Sequence, residues 1–266
     1  MGYIILSVML LVLLGLVMTG AWVAQRRTGN SGWVDAFWTF GTGGAAALGA
    51  LVPLGSAPVA RRVLVAALVL VWALRLGFYI VRRTRAITHE DARYARFRAD
   101  WGAAFESRMF WLLMIQAVVA WVLVIAVMIA AHDPAPMTGV SWGWTLAGLA
   151  VFAGSLWGEA VADAQMHAFR ADPANRGQVC DRGLWGWSRH PNYFFEASIW
   201  LAYPLIGLAG GWAPGLLALI GPLGMVWLLT KISGIPPLER EMLESRPVAY
   251  AAYQARVSAF FPRPPR

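Results

Sequence analysis

The chain has 266 residues, of which 59% are hydrophobic and only 14% charged, with 15 Trp and a mean hydropathy of +0.56. An average soluble domain carries roughly 25% charge, so collagen-like, disordered and disulfide-stapled classes are excluded and an all-α, polytopic integral membrane protein is indicated. The single Cys180 can form no internal disulfide, and the net charge of +8 is accounted for below by membrane orientation and contact with membrane lipids rather than by nucleic acid.

Seven apolar blocks follow in chain order, at 3–24, 33–54, 63–81, 109–131, 140–161, 193–209 and 212–230. Blocks of about 20 residues suit a hydrocarbon core roughly 30 Å thick. The first has no positive n-region and outruns a signal-peptide core, so it reads as a retained anchor. The second contains GTGGAAALGA at 41–50, a run that suits close helix packing in lipid and lies too deep in a span to be a phosphate loop. The last two join tightly around Gly210 and Gly211, and with no repeat or linker the chain reads as one membrane domain, 1–266. Basic residues remain on the cytoplasmic side. With seven spans, one side collects Arg26 and Arg27, seven arginines in 82–108, four in 162–192 and six basic residues from Lys231 onward. Arg61 and Arg62 stand opposite, and Arg75 lies inside a span. The predicted N-terminus is therefore outside and the C-terminus cytoplasmic.

The long loops 82–108, 162–192 and 231–266 all fall on that cytoplasmic side, where function is expected to open. The first mixes arginines, acids and aromatics, as a helix at headgroup level does; its arginines either are solvated or face an anionic nucleotide. Acids within spans are costly and normally face a cavity or a partner, and Asp35, Glu159 and Glu196 qualify. Glu159, Asp163, His167 and Arg170 follow at helical spacing and share one face of a helix leaving the membrane. That stripe reads either as a salt-bridge ladder, with Arg170 neutralising Asp163, or as the wall of a cofactor cleft. NRGQVCDRGLWGWSRHPNYFFEASIW at 175–200 is the densest polar signal. Pro191 suits the first turn of a helix, which places Asn192, Tyr193 and Glu196 in its opening turns, preceded by Arg189 and His190. The free N–H groups there suit an anion; alternatively Ser188 caps the helix and Arg189 and His190 bind lipid phosphates. The segment PPLEREMLESRPVAYAAYQARVSAFFP reads as an amphipathic helix, either a lid over these loops or a helix docked on headgroups. The four His are dispersed, without HExxH or paired boxes, so no metal is expected. GxSxG, a P-loop and GxGxxG are absent, so any nucleotide is held by membrane helices.

DAQMHAFRADPANRGQVCDRGLWGWSRHPNYFFE at 163–196, RLGFYIVRRTRAITHEDARYARFRADWG at 75–102 and the C-terminal PLERE with its paired tyrosines closely resemble a bacterial membrane family of formerly unknown function related to steroid 5α-reductases. The wider superfamily shares a helical bundle and an Arg/His-Pro-Asn-Tyr segment and includes NADPH-dependent sterol reductases and S-adenosylmethionine-dependent isoprenylcysteine methyltransferases. The resemblance implies a seven-helix reductase, in a bacterial inner membrane, that takes NADPH from the cytoplasm and a lipid or steroid-like enone from the bilayer. It implies an NADP(H)-binding set of Asp163, Arg170, Asn175, Arg189, Asn192, Tyr193 and Glu196. By the same resemblance Asp35 and Tyr79 polarise the substrate ketone, as a neutral carboxylic acid and a tyrosine hydroxyl can. The chain departs from the family at Phe195, where NYFGE is usual. The competing functions are a methyltransferase of a prenylated or lipid substrate and a non-catalytic lipid-binding protein. The arginine-rich loops favour NADPH, because phosphates need several arginines whereas a sulfonium needs acids and aromatics.

Overall fold

The structure is a computed structural model that describes residues 1–86 and 92–265. His89, within the first long loop, lies outside the described residues. Among those residues the fold is all-α, with a single isolated bridge pairing Ser188 with Ser258. The α-helices are α1 (Gly2–Thr28), α2 (Trp33–Leu51), α3 (Val59–Ala86), α4 (Ala92–Trp101), α5 (Phe105–Ala131), α6 (Gly139–Ala171), α7 (Pro191–Ile199), α8 (Ala202–Gly207), α9 (Trp212–Ala218), α10 (Ile220–Trp227), α11 (Ile235–Ser245) and α12 (Pro247–Arg256). Five stretches are long and apolar enough to cross a membrane: Gly2–Thr28, Val59–Ala86, Arg93–Ala131, Gly139–Ala171 and Trp212–Ser245. That is the make-up of an integral membrane protein. The apolar block at 33–54 becomes the 19-residue α2, and the block at 193–209 is broken between α7 and α8.

The chain forms two compact units, Met1–Ala147 with Tyr203–Gly221, and Gly148–Ala202 with Pro222–Arg266. In the first, α2 lies against α1, α3 and α5. Gly29 closes α1 in the left-handed region at φ 65, a conformation glycine adopts without steric cost, and the chain turns back into α2. Small residues set the approach of α2 to α3. A Cβ on Gly43 would collide with Ala73 and one on Gly77 with the Phe40 ring, while Gly32 faces Thr84. This antiparallel register puts Tyr79 of α3 level with Phe37 of α2. Three half-buried indole N–H groups between the helices find carbonyl acceptors, as a low-dielectric interior demands. Trp22 donates to the Glu106 carbonyl at 3.0 Å, Trp38 to that of Gln116 at 3.2 Å and Trp121 to that of Ser7 at 2.8 Å.

In the second unit the end of α6 is stitched to the loop that follows it. Asn175 donates through Nδ2 to the Phe169 carbonyl at 2.9 Å, satisfying one of the orphan acceptors of the helix end. The Leu184 N–H donates to Gln165 Oε1 and the Trp185 indole to the Ala162 carbonyl, each at 2.9 Å. The C-terminal segment does not form one amphipathic helix. It bends at Arg246–Pro247 into α11 and α12, and Tyr250, Tyr253 and Val257 then build a small core with Val179, Met242 and Leu243.

Candidate functional site

Asp35 and Tyr79 belong to the first unit, and the other seven residues singled out from the sequence belong to the second. Asp35 stands in the first turn of α2, where a carboxylate complements the helix dipole. Its Oδ2 accepts from Arg93 Nη2 at 2.5 Å and its Oδ1 from the Tyr94 hydroxyl at 3.0 Å. Both oxygens act as acceptors, so a hydrogen bond from Asp35 to a ketone would require Arg93 to release it. Tyr79 of α3 is itself 45% exposed, next to the exposed Phe78.

In the second unit the α6 stripe grades from buried to exposed. Glu159 is buried, Asp163 half-buried, and His167 and Arg170 exposed. The ladder in which Arg170 neutralises Asp163 does not form, because the Arg170 side chain makes no ion pair or hydrogen bond among the described residues. Helix α7 begins at Pro191, and His190 is its N-cap, with no side-chain cap bond. Ser188 therefore does not cap the helix. Its hydroxyl instead donates to the Phe260 carbonyl at 2.8 Å and accepts the His190 N–H at 3.1 Å.

Arg189 is placed differently from the expectation of a phosphate ligand. Its Nε and Nη2 donate to the two Glu239 oxygens at 2.7 and 3.1 Å, and its Nη1 donates to the Gln254 and Val257 carbonyls at 3.3 and 2.5 Å. A planar guanidinium forks onto a carboxylate in this way because the two geometries match. Glu239 also accepts from Gln254 Nε2 at 2.8 Å and pairs with His190 Nε2 at 3.1 Å. Arg189 and His190 thus meet an internal carboxylate rather than lipid phosphate. Arg189 clamps α11 and α12 to the loop before α7.

Asn192 and Tyr193 are half-buried in the first turn of α7, and the Tyr193 ring lies parallel to that of His190, 10° apart with centroids at 5.6 Å. Glu196, one turn on, is buried and accepts from the Trp200 indole at 3.3 Å. Phe195 packs its ring where a Cβ on Gly158 would stand. Arg176 and Arg182 are exposed and, like Arg170, engage no acid or acceptor through their side chains among the described residues. The sequence reading passed over these two because nothing in their spacing separates them from ordinary solvated arginines.

Burial pushes the Cys180 thiol above its usual range, which disfavours the reactive thiolate. Burial likewise raises the Tyr250 and Tyr253 hydroxyls well above the ordinary tyrosine value. Both therefore stay protonated across the physiological range. Tyr253 uses its proton in a 2.5 Å bond to the Trp185 carbonyl.

Residues 21–257 match the family described as "Protein of unknown function (DUF1295)". The chain belongs to that family. An uncharacterized protein of Schizosaccharomyces pombe (strain 972 / ATCC 24843) is 35% identical over 86 residues, covering 30% of this chain and 23% of the yeast protein. The match thus spans about a quarter of that relative's length. No solved structure matches.

Proposed function

We propose that this protein is a membrane oxidoreductase of the steroid 5α-reductase type, reducing the C=C bond of a conjugated ketone in a steroid-like or other lipid substrate with NADPH. The observation that carries the reading is the set of polar groups that the second unit holds between Arg170 and Glu196. Arg170, Arg176 and Arg182 are exposed and uncommitted, as three phosphates require, while Asn192, Glu196 and Tyr193 at the start of α7 offer an amide, an acid and a flat ring. NADPH, when bound, supplies the hydride. The chain's own residues bind and orient it and keep water out. In this reading Asp163 on α6 and Asn175 in the turn after it belong to the binding set, Arg189 fixes the loop from behind, and Asp35 and Tyr79 polarise the ketone. Seven spans, an outside N-terminus and a site open to the cytoplasm of a bacterial inner membrane complete it.

A second reading, an S-adenosylmethionine-dependent methyltransferase of a prenylated or lipid substrate, is favoured by one observation. Two acids of the second unit, Glu159 and Glu196, are buried, and Arg189 is neutralised by Glu239. Acids suit a sulfonium.

The test is thermal stability of the detergent-purified protein with NADPH, NADH or S-adenosylmethionine. A ligand at 100 times its Kd adds roughly 2.7 kcal/mol, a shift of several degrees. The reductase reading expects the shift with NADPH and its loss in the Arg176→Ala/Arg182→Ala double variant. A shift with S-adenosylmethionine alone moves the protein to the methyltransferase reading, and silence with all three favours a non-catalytic lipid-binding protein.

A further inference from the structure

A second polar centre lies within the first unit, where α1 ends and α5 begins. Glu106, in the first turn of α5, accepts from Gln25 Nε2 at 2.9 Å. Gln25 is fully buried, and its Oε1 accepts from Ser31 Oγ at 3.4 Å, so the carboxylate is held from the buried side. Its other neighbours are two exposed arginines, with Arg26 Nε 3.5 Å from Oε2 and Arg98 Nη1 3.9 Å from Oε1. Each guanidinium rests on a ring, Arg26 at 4.6 Å from the Trp22 centroid and Arg98 at 4.0 Å from that of Phe105. The Arg26 guanidinium makes no hydrogen bond among the described residues. Two guanidinium groups share one carboxylate, so positive charge is left over. Arg27, Arg82, Arg85 and Arg108, exposed at the same end of the unit, meet no acid among the described residues.

We propose that Arg26 and Arg98 bind the phosphate of an anionic phospholipid, with Trp22 and Phe105 supporting the two cations. A guanidinium presents a fork of N–H donors that matches phosphate oxygens. Long ion pairs between exposed groups are worth little, so the contacts with Glu106 give way to a phosphate at small cost. Depth selects a lipid over a soluble anion. Helix α1 and the Arg93–Ala131 stretch are each apolar enough to cross a membrane, and α1 packs on α5, so Arg26 and Glu106 stand at headgroup level. Trp22, and Trp101 stacked on Phe97 at 4.7 Å, fit the aromatic belt of such a surface. Further along both helices the exposed side chains are apolar, Val12 and Leu16 on α1 and Trp111 and Ile115 on α5, as acyl chains require. A zwitterionic headgroup carries its own cation, which the surplus arginines repel, so the anionic lipid is preferred. A phosphate shared by Arg26 and Arg98 ties α1 to α4. The site does not depend on the reductase reading above.

Full-length protein is placed in nanodiscs of phosphatidylcholine alone or of equal parts phosphatidylcholine and phosphatidylglycerol, and its melting temperature is compared. Native mass spectrometry then reads which lipid stays bound. The wild type is expected to melt higher with phosphatidylglycerol and to retain that lipid in preference. Arg26→Gln/Arg98→Gln is expected to weaken its apparent affinity for phosphatidylglycerol roughly thirtyfold, the combined worth of two arginines at an anionic surface. Arg240→Gln/Arg263→Gln, which removes the same charge from exposed positions of the second unit, is expected to bind as the wild type does. Glu106→Gln keeps an acceptor for Gln25 and loses the competing charge, so it is expected to hold phosphatidylglycerol at least as tightly as the wild type. Equal melting in the two nanodiscs, an equal loss in the control pair, or loss of phosphatidylglycerol in Glu106→Gln overturns the proposal. So does inorganic phosphate if it raises the melting temperature in phosphatidylcholine as much as phosphatidylglycerol does, since a soluble anion then suffices. If Arg26→Gln/Arg98→Gln does not fold, the lipid comparison and Glu106→Gln still decide.

Discussion

Arg61 shows how one residue's surroundings explain a sequence anomaly. The topology expected from the sequence puts it on the side almost free of basic residues, yet its side chain and that of Asp133 are both fully buried. Arg61 Nη1 donates to the Asp133 carbonyl and to Oδ1, both at 2.8 Å, and Nη2 donates to Ser141 Oγ at 3.0 Å. The charge is cancelled inside the protein, so Arg61 exerts little pull on topology. Removing one partner leaves an uncompensated buried charge, which typically costs about 3–5 kcal/mol. Asp133→Ala is therefore expected to lower the melting temperature sharply, and Arg61→Met/Asp133→Leu to recover part of the loss, as followed by thermal unfolding in detergent. A double variant as unstable as Asp133→Ala would show that the loss comes from the packing of Asp133 on Gly210 rather than from the orphaned charge.

At the scale of elements, the long helices were legible because their apolar runs are continuous, and the start of α7 was legible because proline fits a first helical turn. The breaks were not. Between 202 and 234 helices start and stop in short pieces, with Gly207 against the backbone of Gly215, Gly211 at φ 118 and a π-helical turn at Leu228–Ile232. Such steps depend on which backbone approaches which, and hydropathy carries no record of that. The polar cluster at 175–200 was legible, but its partner was not, because Arg189 and Glu239 lie 50 residues apart. The tail beyond α12 completes this element. The Arg189 N–H donates to the Ser258 carbonyl at 2.8 Å and the Arg263 N–H to that of Trp187 at 2.9 Å, while Phe260 and Phe261 pack edge-on against Phe194. Truncation after Arg256 is expected to leave helix content by circular dichroism nearly unchanged, to open Arg182 to trypsin and, on the proposed reductase reading, to abolish the thermal shift with NADPH. Retention of that shift would show that the tail does not hold the loop in shape.

For the whole molecule, the open question is whether α2 crosses the membrane with its neighbours. It lies between α1, α3 and α5, and its contacts with α3 run from Gly32 at one end through Phe40 to Gly43. A helix of 19 residues rises about 28 Å, close to the hydrocarbon thickness. If α1 and α3 span, α2 spans with them. Both termini keep their sides whether the chain crosses five times or seven, since each number is odd, so reporters at the ends cannot decide the matter. The segment carrying α4 can. Seven crossings put it and its arginines in the cytoplasm, as the positive-inside rule favours, whereas omission of α2 and of the α7–α8 stretch would put it outside. With Cys180→Ser as background, Ser56→Cys is expected to react with a membrane-impermeant thiol reagent on intact cells. Ala99→Cys, exposed on α4, is expected to react only after permeabilisation. Labelling of Ala99→Cys on intact cells would remove α2 from the spans and place the arginine-rich loop on the outer side.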